Sequence, residues 1–456
     1  MHEQSTIVAL ATPYGTSGVA VLRLSGSDAL AVAQRIFRSH SGKRLNAIPG
    51  YTGTLGYIMD GEELIDEAIV YVYRAPKSYT GEDIAEISLH GGAWLAQRVL
   101  RLCMQNGAVA ARPGEFTKRA FLNGKMDLSQ AEAVMDLISA NGDASAKAAI
   151  NALKGRISTA VSAIVEKLLA QATHLSAWSD YPDEGLEEVD EAALEQALRY
   201  IEQDIGKLIA TYDRGRLLHE GVTAALLGKP NVGKSTLMNL LSGYERSIVT
   251  EIPGTTRDVV TESVRVGDFV LRLTDTAGLR DTNDPIEKIG VERSREQLEC
   301  VQIVLAVFDY SNKLEEEDLL LLQQLEGKPA IAVINKTDLK PALDLEQIHS
   351  SVEHVVMASA KAGEGYDALL KAINELLGAT QLDLSSPVIA SERQYDCLVC
   401  AKNAVSQAIT AHVQGMTLDA INVCLDEALD ELLSLTGERA SERVIDEIFE
   451  RFCVGK

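Results

Sequence analysis

Val222-Thr223-Ala224-Ala225-Leu226-Leu227-Gly228-Lys229-Pro230-Asn231-Val232-Gly233-Lys234-Ser235-Thr236-Leu237-Met238-Asn239-Leu240-Leu241 decides the architecture of the chain. Its first six residues read as a buried strand and its last six as the start of a helix. Between them lies GxxxxGK[ST], Gly228 to Ser235, in the strand–loop–helix context that a phosphate-binding loop requires. Glycines there let backbone N–H groups converge on phosphate oxygens. Lys234 brings a cation to the β- and γ-phosphates, and the Ser235 hydroxyl is suited to ligate Mg²⁺.

Three further elements follow in the expected order. Gly254-Thr255-Thr256-Arg257-Asp258 stands where a switch loop offers a threonine, Thr256, to Mg²⁺. The strand-like Phe269-Val270-Leu271-Arg272-Leu273-Thr274 runs into Asp275-Thr276-Ala277-Gly278, in which Asp275 would hold the water shell of the metal and Gly278 would offer its N–H to the γ-phosphate. Ala330-Ile331-Ala332-Val333-Ile334 then delivers Asn335-Lys336-Thr337-Asp338. A carboxylate at Asp338 accepts from the N1–H and 2-amino groups of guanine, a donor pair adenine lacks, so GTP is expected over ATP. Ser359-Ala360-Lys361 completes the base pocket by position. The stretch resembles the G domains of the translation-factor-related GTPases.

Hydrolysis needs an oriented water, which many GTPases place with a glutamine after the switch-II glycine. Leu279 occupies that position here and cannot orient water. Arg280, Asp281, Asp284, Glu287 and Glu292 are the neighbouring candidates, and a carboxylate acting through water is an adequate general base. Arg257, Arg280, a partner or a second cation must supply the positive charge of the transition state.

The rest of the chain gives this unit its setting. At 456 residues several domains are expected. Before Gly124, strand-like runs (Val19–Leu24, Ala68–Tyr73, Ile84–Leu89) alternate with glycine-rich joints, predicting a small α+β domain. From Asp127 to Arg216 apolar residues recur at helical spacing, as in Leu128, Ala131, Val134, Met135 and Ile138, with a turn at Tyr181-Pro182-Asp183-Glu184-Gly185. Strand and helix patterns alternate from Gly221 to Leu377, the signature of a parallel α/β sheet, and helical texture returns after Pro387. The expected fold is multidomain: an α+β N-terminal domain (1–124), an all-α helical domain in two segments (125–216 and 381–456), and an inserted α/β P-loop G domain (217–380).

The net charge of −23 argues against a surface built mainly to hold bare nucleic acid, while leaving room for a local basic patch. No run is long and apolar enough to span a membrane, and Met1-His2-Glu3-Gln4-Ser5-Thr6 lacks the basic region before an apolar one that marks a signal peptide, so a cytoplasmic protein is expected. Cys397-Leu-Val-Cys400 is read as two reduced cysteines on a helix, because no second pair accompanies it.

The flanks add Ala11-Thr12-Pro13, Gly18-Val19-Ala20-Val21-Leu22-Arg23-Leu24-Ser25-Gly26, Tyr79-Thr80-Gly81-Glu82-Asp83, His90-Gly91-Gly92, Ala111-Arg112-Pro113-Gly114-Glu115-Phe116-Thr117-Lys118-Arg119-Ala120-Phe121-Leu122-Asn123-Gly124-Lys125 and the ending Phe452-Cys453-Val454-Gly455-Lys456. Together with Gly254–Asp258, these resemble the tRNA-modification GTPase family MnmE (TrmE) over essentially the whole chain. The usual ending of the family is Cys-Ile-Gly-Lys, so Val454 is a mild departure.

The resemblance implies a homodimer. It also implies an FAD-dependent partner, MnmG (GidA), in a heterotetramer that modifies C5 of the wobble uridine in tRNA with an aminomethyl or carboxymethylaminomethyl group. It implies 5-formyl- or methylene-tetrahydrofolate as one-carbon donor, bound in the N-terminal domain by Arg23, Glu86 and Lys125, with Lys456 nearby and Cys453 as nucleophile or proton relay. In the G domain it implies K⁺ held by Asn231, Thr250, Ile252 and Thr255, Mg²⁺ held by Ser235 and Thr256, and Glu287 as the catalytic glutamate. GTP or GDP would contact Asn231, Gly233, Lys234, Ser235, Thr236, Thr250, Thr255, Thr256, Asp275, Thr276, Ala277, Gly278, Asn335, Lys336, Asp338, Ser359 and Ala360. The rival reading is a ribosome-assembly GTPase acting as an RNA-binding switch, which predicts a basic RNA-binding module beside the G domain. A scaffold that binds nucleotide for stability alone is the other.

Overall fold

Two kinds of hydrophobic pattern, strict alternation and unbroken apolar runs, produce two different sheets. The computed structural model describes residues 5–140, 142–180, 190–244, 262–266, 269–273, 301–377 and 386–456. In chain order the elements are β1 (Ile7–Leu10), β2 (Val19–Ser25), α1 (Ala29–Ile36), β3 (Phe37–Ser39), β4 (Thr52–Asp60), β5 (Glu63–Tyr73), β6 (Ile84–His90), α2 (Ala93–Gln105), β7 (Val109–Ala110) and α3 (Glu115–Leu122). The helices α4 (Leu128–Ser139), α5 (Asp143–Leu153), α6 (Arg156–Asp180), α7 (Glu191–Ile209) and α8 (Tyr212–Glu220) follow. Next come β8 (Val222–Leu227), α9 (Lys234–Tyr244), β9 (Glu262–Val266), β10 (Phe269–Leu273), β11 (Ile303–Asp309), α10 (Glu316–Leu325), β12 (Ala330–Asn335), α11 (Leu345–Ser351), β13 (His354–Met357) and α12 (Tyr366–Leu376). The chain closes with α13 (Glu392–Val413), α14 (Leu418–Thr436) and α15 (Glu442–Glu450).

The chain divides into two compact units, one of residues 1–135, 161–191 and 403–456, the other of residues 136–160 and 192–402. The sheet of the first unit has the order β3-β4-β5-β6-β2-β1-β7, antiparallel except for the parallel β1–β7 pair. Side chains alternate between its faces. Leu22 and Leu24 enter a core shared with Ala29, Val32 and Ile36 of α1 and Val99 and Leu102 of α2. The opposite face carries Ile7 and Ala9, which pack on Phe116 of α3, and Arg23, whose guanidinium lies 5.7 Å from the Phe116 ring centroid. The α+β expectation for this region holds.

A second cluster seats the last helix of the chain. Ser441 caps α15 by accepting from Val444 N, and the helix buries Ile445 and Phe449 on one stripe. These meet Leu128 and Ala131 of α4, with Phe121 and Phe452 beside them. The Phe449 ring meets those of Phe121 and Phe452 in tilted contacts at centroid distances of 6.4 and 5.1 Å. Lys118 reaches Asp446 at 2.6 Å across the same junction.

In the second unit the sheet order is β13-β12-β11-β8-β10-β9. All residues of β11 and β12 are buried, as central strands covered on both faces must be. Leu305 and Val307 point to the layer containing Leu237 and Ile373, while Ala306 and Phe308 point to that of Leu322 and Ile348. The sheet is mixed rather than wholly parallel: β9 pairs antiparallel with β10. Only residues 267 and 268 separate the two strands, and so short a link permits a hairpin but no crossover. The Cys397–Cys400 pair lies on α13, with Cys397 buried and Cys400 exposed. Among the described residues no helix is long and apolar enough to cross a membrane.

Candidate functional site

The phosphate loop leaves β8 at Gly228 and enters α9 at Lys234. Gly233 holds φ +101°, and a Cβ there would stand 2.1 Å from Asn335 Nδ2. Glycine is therefore needed both for the backbone and for the close approach. Lys234 Nζ donates to the carbonyls of Gly228 at 2.6 Å and Lys229 at 2.8 Å, folding its ammonium over the loop. Its burial pushes the pKa below the usual lysine value, so an incoming polyphosphate meets a cation that water solvates poorly. Ser235 and Thr236 are exposed at the start of α9, where helix N–H groups favour anions. The Ser235 hydroxyl has no hydrogen-bond partner among the described residues, which suits a metal ligand.

The base pocket is tied to this loop by side chains. Asn335 is 2% exposed; its Nδ2 donates to Val232 O at 2.9 Å and its Oδ1 accepts from Ala360 N at 3.0 Å. One amide thus joins three motifs separated in sequence. Lys336, in the left-handed region at φ 65°, donates from Nζ to Asn231 O at 2.6 Å. Asp338 Oδ1 accepts from Ser359 Oγ at 2.7 Å. Asp338 Oδ2 has no donor among the described residues, leaving an acceptor for a guanine edge.

Two parts of this network escaped the sequence reading. Lys336 Nζ also reaches Asp309 Oδ2 at 2.6 Å, at the C-terminal end of β11. Burial works to raise the Asp309 pKa, but Lys336 and the Ser311 hydroxyl and N–H outweigh it and hold the carboxyl below its ordinary value. Lys229 in turn pairs with Glu315 and Asp318 at the start of α10, both at 2.7 Å. The end of β11 and the segment after it thus hold the phosphate loop through two lysines. The available signal was Asp309-Tyr310-Ser311 at the carboxyl end of a buried strand, where α/β sheets place their ligands.

A second constellation lies on the sheet of the other unit. Antiparallel register sets Arg23 of β2 directly opposite Glu86 of β6. Arg23 Nε donates to Glu86 Oε1 at 2.8 Å, and Tyr73 OH donates to Glu86 Oε2 at 3.3 Å. The Arg23 guanidinium also lies over the Tyr79 ring at 5.5 Å. Its Nη1 is buried with no hydrogen-bond partner among the described residues, a donor that a bound carboxylate would satisfy.

The end of the chain docks at this place. Gly455 has φ +100°, and a Cβ on it would meet Leu10 O at 2.4 Å. Phe116 N donates to Lys456 O at 3.3 Å and Gly114 N to Cys453 O at 3.4 Å. The Lys456 ammonium is held below its usual pKa by burial and by the positive charge of Arg23, against the opposing pull of Glu86. The docked end thus meets Phe116, the residue whose ring faces the Arg23 guanidinium. Lys125 does not join Arg23 and Glu86 by any hydrogen bond or ion pair: its Nζ donates to Pro76 O at 3.0 Å. Cys453 is a free, exposed thiol.

The helical-domain model of MnmE matches residues 128–453, and the model of the GTP-binding protein TrmE N-terminus matches residues 6–125. The tRNA modification GTPase MnmE of Geobacillus kaustophilus is 42% identical over 462 residues, covering 100% of both chains. This chain belongs to the MnmE family. The MnmE of Bacillus subtilis is 39% identical over 457 residues, covering 99% of this chain and 100% of its own. The G domain of the T. maritima FeoB iron transporter matches 34% of this chain and 98% of its own at 28% identity, but with a TM-score of 0.26 that likeness carries no argument. Like its MnmE relatives, the chain is a tRNA modification GTPase. Of the residues expected to act in this MnmE chain, Thr250, Ile252, Thr255, Thr256, Asp275, Thr276, Ala277, Gly278 and Glu287 lie outside the described residues, as do Arg257, Leu279, Arg280, Asp281, Asp284 and Glu292.

Proposed function

We propose that this chain is the GTP-hydrolysing subunit of a cytoplasmic complex that modifies C5 of the wobble uridine of tRNA. It would act as a homodimer with an FAD-dependent MnmG partner. The observation that carries the reading is the docking of the Lys456 backbone on Phe116, whose ring lies against the guanidinium of the Arg23–Glu86 pair. An arginine and a lysine suit the glutamate carboxylates of a tetrahydrofolate, and a carboxylate suits the donor edge of its pterin. Lys125 would take part from the loop at Pro76. The folate, in its 5-formyl or methylene form, would supply the one-carbon unit.

In the G domain, Lys234 meets the β- and γ-phosphates. Ser235 and Thr256 would hold Mg²⁺, which offsets phosphate charge. Asn231, with Thr250, Ile252 and Thr255, would hold K⁺ in place of an arginine finger. Glu287, acting through water, fills the role Leu279 cannot. Cys453, on the docked end of the chain, is the candidate nucleophile or proton relay. The segments 1–124, 125–216 with 381–456, and 217–380 would then serve as folate-binding, relay and switch domains.

The test is nucleoside analysis of tRNA from cells lacking the protein, which should show unmodified wobble uridines; an unchanged profile would end this reading and favour the ribosome-assembly alternative. GTP turnover should be faster in KCl than in NaCl, and equal rates would remove the K⁺ site. Glu287→Ala should slow turnover while nucleotide binding persists.

A further inference from the structure

The chain carries 66 acidic against 43 basic residues, yet no Asp or Glu occurs from Ala29 to Met59, a stretch that holds Arg35, Arg38, Lys43 and Arg44. In the fold these four line one cleft of about 280 Å³ between the end of α1, the edge strand β3 and the loop after it. All four are exposed. Arg35 Nη1 is held by a backbone carbonyl, that of Asn106, rather than by a carboxylate. Arg38, Lys43 and Arg44 have no ion-pair partner among the described residues. Of the acids on the neighbouring β4–β5 hairpin, Asp60 and Glu63 are bridged by Arg98, Asp66 pairs with His90, and Glu67 pairs with His40. That leaves Glu62 beside the Gly61 turn as the remaining nearby carboxylate.

The cleft is also held in shape. Gln34 Nε2 donates to Phe37 O at 3.0 Å, and Gln34 Oε1 accepts from Leu45 N at 2.6 Å, clamping the loop from both sides. Leu45 is fully buried, and Ser39 Oγ links to the hydroxyls of Ser41 and Thr54 at 2.9 and 3.0 Å. The cations therefore project from a fixed frame.

We propose that this cleft binds the phosphodiester backbone of tRNA. The inference rests on the proposed tRNA-modifying function and names the surface through which the substrate is held. Clustered cations that neutralise phosphates supply sequence-independent affinity, and a local patch does so even on an acidic protein. Charge on an edge strand also prevents strand-to-strand aggregation. That role is met by either sign of charge, whereas phosphate binding requires cations, so charge reversal separates the two.

The experiment measures binding of the full-length protein to tRNA by fluorescence anisotropy over a range of KCl concentrations. The variant combines Arg38→Glu, Lys43→Glu and Arg44→Glu, all at exposed positions outside the nucleotide and Arg23 sites. Affinity should fall by about tenfold or more, and the slope of log K against log salt should shrink by about 2–3, near one per lost phosphate contact. GTPase rate, melting temperature and oligomeric state should stay as in the parent. Unchanged affinity and slope would overturn the proposal, as would displacement of tRNA by inorganic phosphate at matched ionic strength, which would assign the cleft to a free anion. Failure here with altered tRNA nucleosides in the deletion strain removes the cleft alone. Unaltered nucleosides remove the function instead.

Discussion

The nucleotide site and the Arg23 site are both held by charged and amide side chains, but they are assembled over very different distances along the chain. Every described tie in the first falls between Gly228 and Ala360. The second joins β2 near one end of the chain to Lys456 at the other, through Glu86 and the α3 backbone. The contrast has a physical origin. A phosphate loop works mainly through its own backbone N–H groups, so its residues must be contiguous. A carboxylate-binding pair needs only two side chains at one point, and sheet register supplies that wherever the strands originate.

The sharpest way to break this comparison is Lys234→Ala. The lysine acts on the phosphates directly, so kcat/KM for GTP should fall by about 10²- to 10³-fold, with folate binding untouched. A steady-state GTPase assay alongside a folate titration checks both halves. If folate affinity fell equally, the sites would not be independent.

Gly233→Ala comes next. The added Cβ would press on Asn335 Nδ2, at a backbone angle that costs an L residue on the order of 1–3 kcal/mol. Nucleotide affinity, read with a fluorescent GDP analogue, should drop by roughly 10- to 100-fold.

Arg23→Ala probes the other region. It removes the buried Nη1 and leaves Glu86 with Tyr73 as its hydrogen-bond partner. Affinity for 5-formyl-tetrahydrofolate, measured calorimetrically, should weaken by about tenfold, as expected for loss of one charged hydrogen bond, while GTPase turnover holds. Unchanged folate affinity would take Arg23 out of that site.

The smallest effect is expected for Asp309→Asn. The carboxylate acts on nucleotide only through Lys336, so the loss should be about three- to tenfold in nucleotide affinity, matching a partly exposed ion pair, with kcat retained. A change in kcat at saturating GTP would give Asp309 a larger part than positioning.

How much was legible follows from the same distances. Gly228–Ser235 and Asn335–Asp338 could be read directly, because the loop and the acceptor are local chemistry. Strands β2, β5, β6, β8, β10 and β12 were legible from alternation or from unbroken apolar runs bounded by turns. The antiparallel β9 was not, since Glu262–Val266 is a short run that opens on a charged residue and carries another at Arg265, and its identity depends on the partner β10. Asp309 carries no motif of its own, and only the fold sets Lys336 against it. The basic run from Arg35 to Arg44 was visible as charge, but a run becomes a cleft only when α1 and β3 turn it around one hollow.

The sequence by itself determined the nucleotide chemistry, the helix and strand texture, and the family, because each depends on residue types at short, fixed spacings. Tertiary structure decided which carboxylates restrain Lys229 and Lys336, that the Lys456 backbone docks on Phe116 while Lys125 turns to Pro76, and that four cations face one cleft. Those outcomes depend on strand order and register, which arise from burying apolar faces drawn from the whole chain at once.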